Sequence, residues 1–164
     1  MRTKNKPLPF KRKREGKTDY GLRLKLIASG KPRFVVRTSL KNVLVQVIEY
    51  QPDGDMILAA SSTHELRKKF GWKGNGRNTP AAYLTGMLAA KKAVEKKVKD
   101  AILDIGLRSP IRGSIDFAAL KGAVDGGLAI PHSKEVLPSE KRIKGEHIKN
   151  SQFEEVKNKI MKAK

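Results

Sequence analysis

The chain has 164 residues, 36 Lys+Arg against 16 Asp+Glu, and a formal charge of +20. This is about one domain's worth of sequence, and its 38% hydrophobic content suffices for one modest core with solvated extensions around it. The absence of Cys excludes disulfide frameworks, thiolate metal sites and Cys nucleophiles, and the longest apolar-leaning run, Ala81 to Ala90, is too short to cross a membrane.

Residues 1–16 read as an extended basic arm centred on Lys11-Arg12-Lys13-Arg14. Pro7 and Pro9 break any early helix. Of the Trp, Phe and Leu that a membrane-surface helix lines up, the arm holds Leu8 and Phe10 alone. No apolar h-region follows it, so the expectation is a soluble intracellular chain without a secretory signal. Fourteen Lys/Arg and two acids lie in residues 1–41, thirteen and nine in 42–130, and nine and five in 131–164. Charge this dense repels itself in a compact monomer. A nucleic acid relieves that repulsion through its phosphates. A bare charge run is often just solvated, but here the excess continues through Lys17, Arg23, Lys25, Lys31, Arg33 and Arg37.

Thr18 to Ile27 predicts a short helix, with Thr18 or Asp19 as N-cap and Ser29-Gly30-Lys31-Pro32 as its stop. Three strands follow, at Phe34–Arg37, Val43–Ile48 and Met56–Ala60. Short connections at Ser39–Asn42 and Pro52-Asp53-Gly54 make them an antiparallel meander. Ser62-Thr63-His64-Glu65 fits a capping box opening a helix to about Phe70. Gly71 to Asn78 is a Gly-rich basic loop. Thr79-Pro80 then starts a long helix, with Tyr83, Met87, Ala90, Val94 and Val98 on one face and Lys91, Lys92, Lys96 and Lys97 on the others. Asp100 to Gly106 reads as a buried strand, parallel to an earlier one after a crossover. A second basic loop, Arg108 to Gly113, leads to a helix over Ser114–Asp125 with Phe117, Leu120 and Val124 inward. From Pro131 the chain turns polar. Residues 138–150 are expected to follow a groove in a partner and 151–164 to form a frayed helix. The predicted organisation is an arm (1–16), an α/β domain with a mixed sheet (17–130) and a basic extension (131–164).

Catalytic chemistry finds little support. His64, His132 and His147 lie far apart, and none forms a two-His helical pair. Asp100, Asp104, Asp116 and Asp125 are the candidates for a two-metal nuclease. Such a site wants an acid on the first strand, where Phe34–Arg37 carries a cation, so Asp100 and Asp104 are read as strand-edge caps or partners of nearby Lys. Gly74-Asn75-Gly76 lacks the Gly-Lys-Ser/Thr of a P-loop. It reads instead as a loop that brings backbone close to an RNA strand, with Lys73, Arg77, Asn78 and the helix N-terminus offering donors to phosphate. Trp72 reads equally as a stacking platform and as a core plug.

Several runs together resemble one family. They are Lys13-Arg14-Glu15-Gly16-Lys17-Thr18-Asp19-Tyr20, Ser29-Gly30-Lys31-Pro32-Arg33, Gly71-Trp72-Lys73-Gly74, Asn78-Thr79-Pro80-Ala81-Ala82-Tyr83-Leu84-Thr85-Gly86, Ile102-Leu103-Asp104-Ile105-Gly106-Leu107, Phe117-Ala118-Ala119-Leu120-Lys121-Gly122-Ala123, Ile130-Pro131-His132-Ser133 and Arg142-Ile143-Lys144-Gly145-Glu146-His147-Ile148. In this order they are similar to the archaeal large-subunit ribosomal protein L eighteen family, over roughly residues 9–148. Residues 149–164 look like a lineage-specific extension.

The resemblance implies an α/β mixed sheet of the ribonuclease-H-like type without nuclease acids. It also implies binding of 5S rRNA in the central protuberance of a cytoplasmic ribosome. The partners it implies are the large-subunit rRNA and neighbouring proteins including the L five protein, with no cofactor, no catalysis and no homo-oligomer. On this reading Lys11, Arg12, Lys13, Arg14, Lys17, Arg23, Arg33, Arg37 and Ser39 meet backbone phosphate. Tyr20, Trp72 and Tyr83 are the stacking candidates. The alternatives are an RNA-processing hydrolase and a sequence-neutral nucleic-acid-packaging protein.

Overall fold

Alternating β-branched residues build the sheet. In the computed structural model, which describes residues 7–148 and 152–163, β1 (Arg33–Thr38), β2 (Val43–Glu49) and β3 (Met56–Ser62) form the expected antiparallel meander. β4 (Ile102–Asp104) joins β1 in parallel, giving the order β3-β2-β1-β4. The parallel strand is shorter than Asp100–Gly106, because Asp100 leaves the ladder for a single bridge to Ala129. The pleat sends Phe34, Val36, Val43, Val45 and Val47 to one face, where all are fully buried. The same alternation turns Arg33, Val35, Arg37 and Ile48 to the other.

Two helices cover the buried face, α4 (Thr79–Glu95) and α5 (Ile115–Asp125). They meet backbone to backbone. A Cβ on Gly86 would lie 2.0 Å from the Ala119 carbonyl oxygen, and one on Gly122 would lie 2.0 Å from that of Tyr83. Ala82, Ala89, Ala90, Ala118, Ala119 and Ala123 fill this seam, all of them fully buried. α4 is consequently buried on almost every side from Thr79 to Ala90. The single apolar face expected from its spacing is too narrow a description, and Val94, placed on that face, is exposed.

Four expectations are corrected. Lys11–Arg14 forms a helical turn, α1, rather than an extended segment, and residues 1–6 of the predicted arm lie outside the described residues. The cap of α4 is Asn78, whose Oδ1 accepts from the Ala81 amide, with Thr79 already helical. In α3 (Thr63–Phe70) Ser62 accepts from the Glu65 amide, but the Glu65 carboxylate binds Lys69 and Lys92 instead of reaching back.

The fourth correction is the largest. Residues 138–148, expected in a partner's groove, and the helix expected to be frayed over 151–164 pack instead on this chain's own domain where they are described; residues 149–151 lie outside the described set. α6 (Glu140–Lys144) and α7 (Phe153–Lys162) dock on the side of α4. Ile143, Phe153, Val156 and Ile160 are buried there with Leu66, Trp72, Tyr83, Leu84 and Met87 in a second apolar cluster. Lys91, placed off the apolar face of α4, donates to the carbonyls of Ile160, Met161 and Ala163 and so caps the C-terminus of α7.

Candidate nucleic-acid interface

α2 (Tyr20–Ala28) lies beside the face of the sheet that α4 and α5 leave open. Asp19 starts it by accepting from the amides of Gly21 and Leu22. The Phe10 ring packs on Tyr20 at 5.2 Å between centroids, which ties the basic turn α1 to α2. Arg12 adds a second tie by donating to the Thr18 hydroxyl.

Beneath α2 the cations of the sheet are neutralised internally. Arg33 is buried and donates to Asp104 at 2.9 Å and to Asp55 at 2.6 Å. Arg37 reaches the second oxygen of Asp104 at 3.0 Å and the carbonyls of Val36 and Asp104. Arg23 shares Asp55 at 2.9 Å. Burial pushes the Asp104 carboxyl up, but the charge and hydrogen bond of Arg37, the Gly106 amide and Arg33 outweigh it and hold the group below the usual Asp range. The counter-charges of Asp104 are therefore Arg33 and Arg37 rather than a Lys.

The other candidate carboxylates are also spoken for. Asp100 pairs with Lys31 at 2.7 Å. Asp125 accepts from Tyr83 and Lys121. Asp116 pairs with Arg108 at 3.1 Å. Its burial prevails over the charges of Arg108 and Arg37 and lifts its carboxyl above the usual range. Among the described residues no three His, Asp or Glu converge as a metal site would require.

The site residues read from sequence therefore separate into two groups. Arg33 is removed from phosphate contact by burial and its two ion pairs. Trp72 is a core plug, with 2% of its surface exposed and its indole N–H donating to the Asn75 carbonyl. Tyr83 is equally enclosed. Its hydroxyl donates to Asp125, its ring tilts against Phe153, and burial with the Asp125 contact raises its pKa. Neither ring has a free face for a base. Asn78 is spent on its helix cap. Ser39 closes the β1–β2 turn through Asn42. Lys11 and Lys17 stand exposed beside Glu15. Lys13, Arg14, Lys73 and Arg77 are exposed, and their side chains have no hydrogen-bond or ion-pair partner among the described residues. Tyr20 is half-buried.

Three loops converge at the carboxyl ends of β1 and β4, where sequence reading saw separate basic segments. Arg108 donates to Thr38 and to Asp116, joining the β4–α5 loop to the end of β1. A Cβ on Gly76 would lie 2.6 Å from the Lys41 carbonyl oxygen, so the Gly-rich loop packs against the β1–β2 turn. Arg77 and Arg108 thereby share one rim, with Lys41 and Arg67 beside Gly76. Asp55 and Arg108 were missed as organisers, because their partners are far away in the chain.

The chain matches the family described as "Ribosomal large subunit proteins 60S L5, and 50S L18" over residues 4–102 and 95–133. The chain belongs to this family of large-subunit ribosomal proteins. It is 55% identical over 141 residues to the large ribosomal subunit protein uL18 of Aeropyrum pernix, covering 86% of this chain and 66% of that one. It is 47% identical to uL18 of Desulfurococcus amylolyticus over 95% of this chain and 94% of the relative. With uL18 of Thermofilum pendens it shares 54% identity, over 87% and 72%. The uL18 family is one of structural, non-enzymatic constituents of the cytoplasmic ribosome, associated with the large subunit and its RNA. The buried Arg–Asp network holds the sheet together through Asp55 and Asp104.

Proposed function

We propose that this uL18-family chain binds 5S rRNA and helps attach it to the large rRNA in the central protuberance, with the L five protein as a neighbour. The observation that carries this is the sorting of cations. The sheet's arginines are spent on Asp55 and Asp104, whereas Lys13, Arg14, Lys73 and Arg77 are exposed with no partner among the described residues. Cations held outward without a hydrogen-bond or ion-pair partner among the described residues suit a polyanion. They sit on two separate features, the α1–α2 arm and the loop rim at the end of the sheet, so two RNA segments can be engaged at once. Of the stacking candidates, Tyr20 remains available.

The test is a salt titration of binding to 5S rRNA and to an unrelated structured RNA. Each phosphate contact contributes roughly 0.7–0.9 to the log–log slope of affinity against salt. Replacing Lys11, Arg12, Lys13 and Arg14 together by Gln flattens the slope by about three units for both RNAs. Wild-type protein that binds 5S rRNA no better than the unrelated RNA refutes the 5S assignment.

A further inference from the structure

Between α2 and the open face of the sheet lies a cleft of about 180 Å³. A water needs only about 10–15 Å³ of such space, so the cleft has room for a planar ring. Apolar side chains form part of its wall: Leu22 and Leu26 from α2, Val35 and Ile48 from the sheet, and Leu107 from the loop after β4. The rest of its lining is polar, with Arg12, Lys17, Arg23, Arg33 and Arg37 beside Asp19, Asp55 and Asp104. The acids that line it take up Arg23, Arg33 and Arg37, which leaves Arg12 and Lys17, the latter also beside Glu15, as the cations for an anion. Asp19 is engaged by two helix amides, Asp55 by Arg23 and Arg33, and Asp104 by Arg33 and Arg37.

Donors are left over. Arg23 spends one guanidinium nitrogen on Asp55 and Arg12 spends its Nε on Thr18. Arg33, which borders the cleft, has a buried Nε without a partner. An occupant must therefore present a flat apolar body, acceptor atoms at its edge and a negative charge at the mouth. A nucleotide has all three. An aliphatic or acidic protein side chain lacks the ring or the edge acceptors.

We infer that this cleft receives one unpaired, extruded RNA nucleotide, its base against Val35, Ile48 and Leu22 and its phosphate on Arg12 and Lys17. The inference rests on the RNA-binding reading and adds to it a subsite that favours single-stranded RNA, since a paired base must first be unpaired and unstacked to enter.

The experiment uses the full chain and two probes, a short single-stranded oligoribonucleotide and a blunt RNA duplex of matched charge. Methyl NMR on wild-type protein shows Val35 and Ile48 shifting with the single strand and not with the duplex. Leu22→Trp fills the cleft and weakens single-strand binding about tenfold or more, leaving duplex binding unchanged. Leu24 is on the same helix but outside the cleft and 68% exposed, so Leu24→Trp keeps wild-type affinity for both. The proposal is overturned if the duplex moves the same methyls equally, or if Leu22→Trp binds the single strand as wild type does. If RNA of every kind fails to bind, 5S rRNA included, the RNA reading itself has failed. If both probes bind and the Val35 and Ile48 methyls stay still, the cleft alone is wrong.

Discussion

Replacing Ile160 by Ala tests whether α7 is part of the folded domain. Ile160 is fully buried in the cluster that also encloses Trp72. The change removes three carbons, worth about 2.4 kcal/mol at ~0.8 kcal/mol each. The cavity left behind raises the cost to about 3 kcal/mol, inside the usual range for such truncations. For a chain of this size that lowers Tm by roughly 6–12 °C. Trp72 is the single Trp of the chain and is 2% exposed, so its fluorescence reports on this cluster alone. Emission moves to the red in Ile160→Ala at temperatures below the global melt if α7 detaches first, as a weakly anchored terminal helix does. Met161 is 57% exposed on the same helix, and Met161→Ala changes Tm by no more than about 2 °C. An Ile160→Ala protein with wild-type Tm and wild-type Trp72 emission would refute the docking of α7.

Three more outcomes are expected. Gly122→Ala places a methyl 2.0 Å from the Tyr83 carbonyl oxygen, which forces α4 and α5 apart and costs about 3 kcal/mol in urea unfolding; a loss under 1 kcal/mol shows that the helices are not in backbone contact. Asp104→Asn leaves buried Arg33 with Asp55 as its one counter-charge and costs about 3 kcal/mol near neutral pH. The folded Asp104 pKa lies below its unfolded value, so this stabilisation is present above about pH 4 and is lost as pH falls through the folded pKa. Wild-type and variant stabilities therefore converge in acid, and curves that stay parallel there contradict the assignment. Arg33→Gln lowers Tm while keeping the salt slope of RNA binding, whereas Arg77→Gln keeps Tm and loses about 0.7–0.9 of slope; the opposite pattern reverses which cation is scaffold and which is contact.

Sequence alone determined whatever depends on near neighbours. The meander is legible because β-branched alternation and the Pro52-Asp53-Gly54 turn act within a few residues. The caps at Asp19 and Ser62 are legible for the same reason. The polyanion preference follows from charge density along the chain, and the family runs carry their order in the sequence itself. Even α7 had a signal, since Phe153, Val156 and Ile160 recur at helical spacing among charged residues. What that helix packs against did not, because Lys91, which caps it, lies 69 residues from Ile160.

Only the tertiary structure decided which cations are free and which rings are covered. Arg33 and Arg77 look alike as letters. One becomes scaffold because strand pairing and a distant turn bring Asp104 and Asp55 to it, 71 and 22 residues away, and burial makes those pairs obligatory. The other stays exposed on the loop rim, with no hydrogen bond or ion pair to its side chain among the described residues. Trp72 and Tyr83 follow the same logic. Each is an amphipathic ring suited to a base or to a core, and burial in one cluster with Phe153, Val156 and Ile160 of α7 leaves neither a free face.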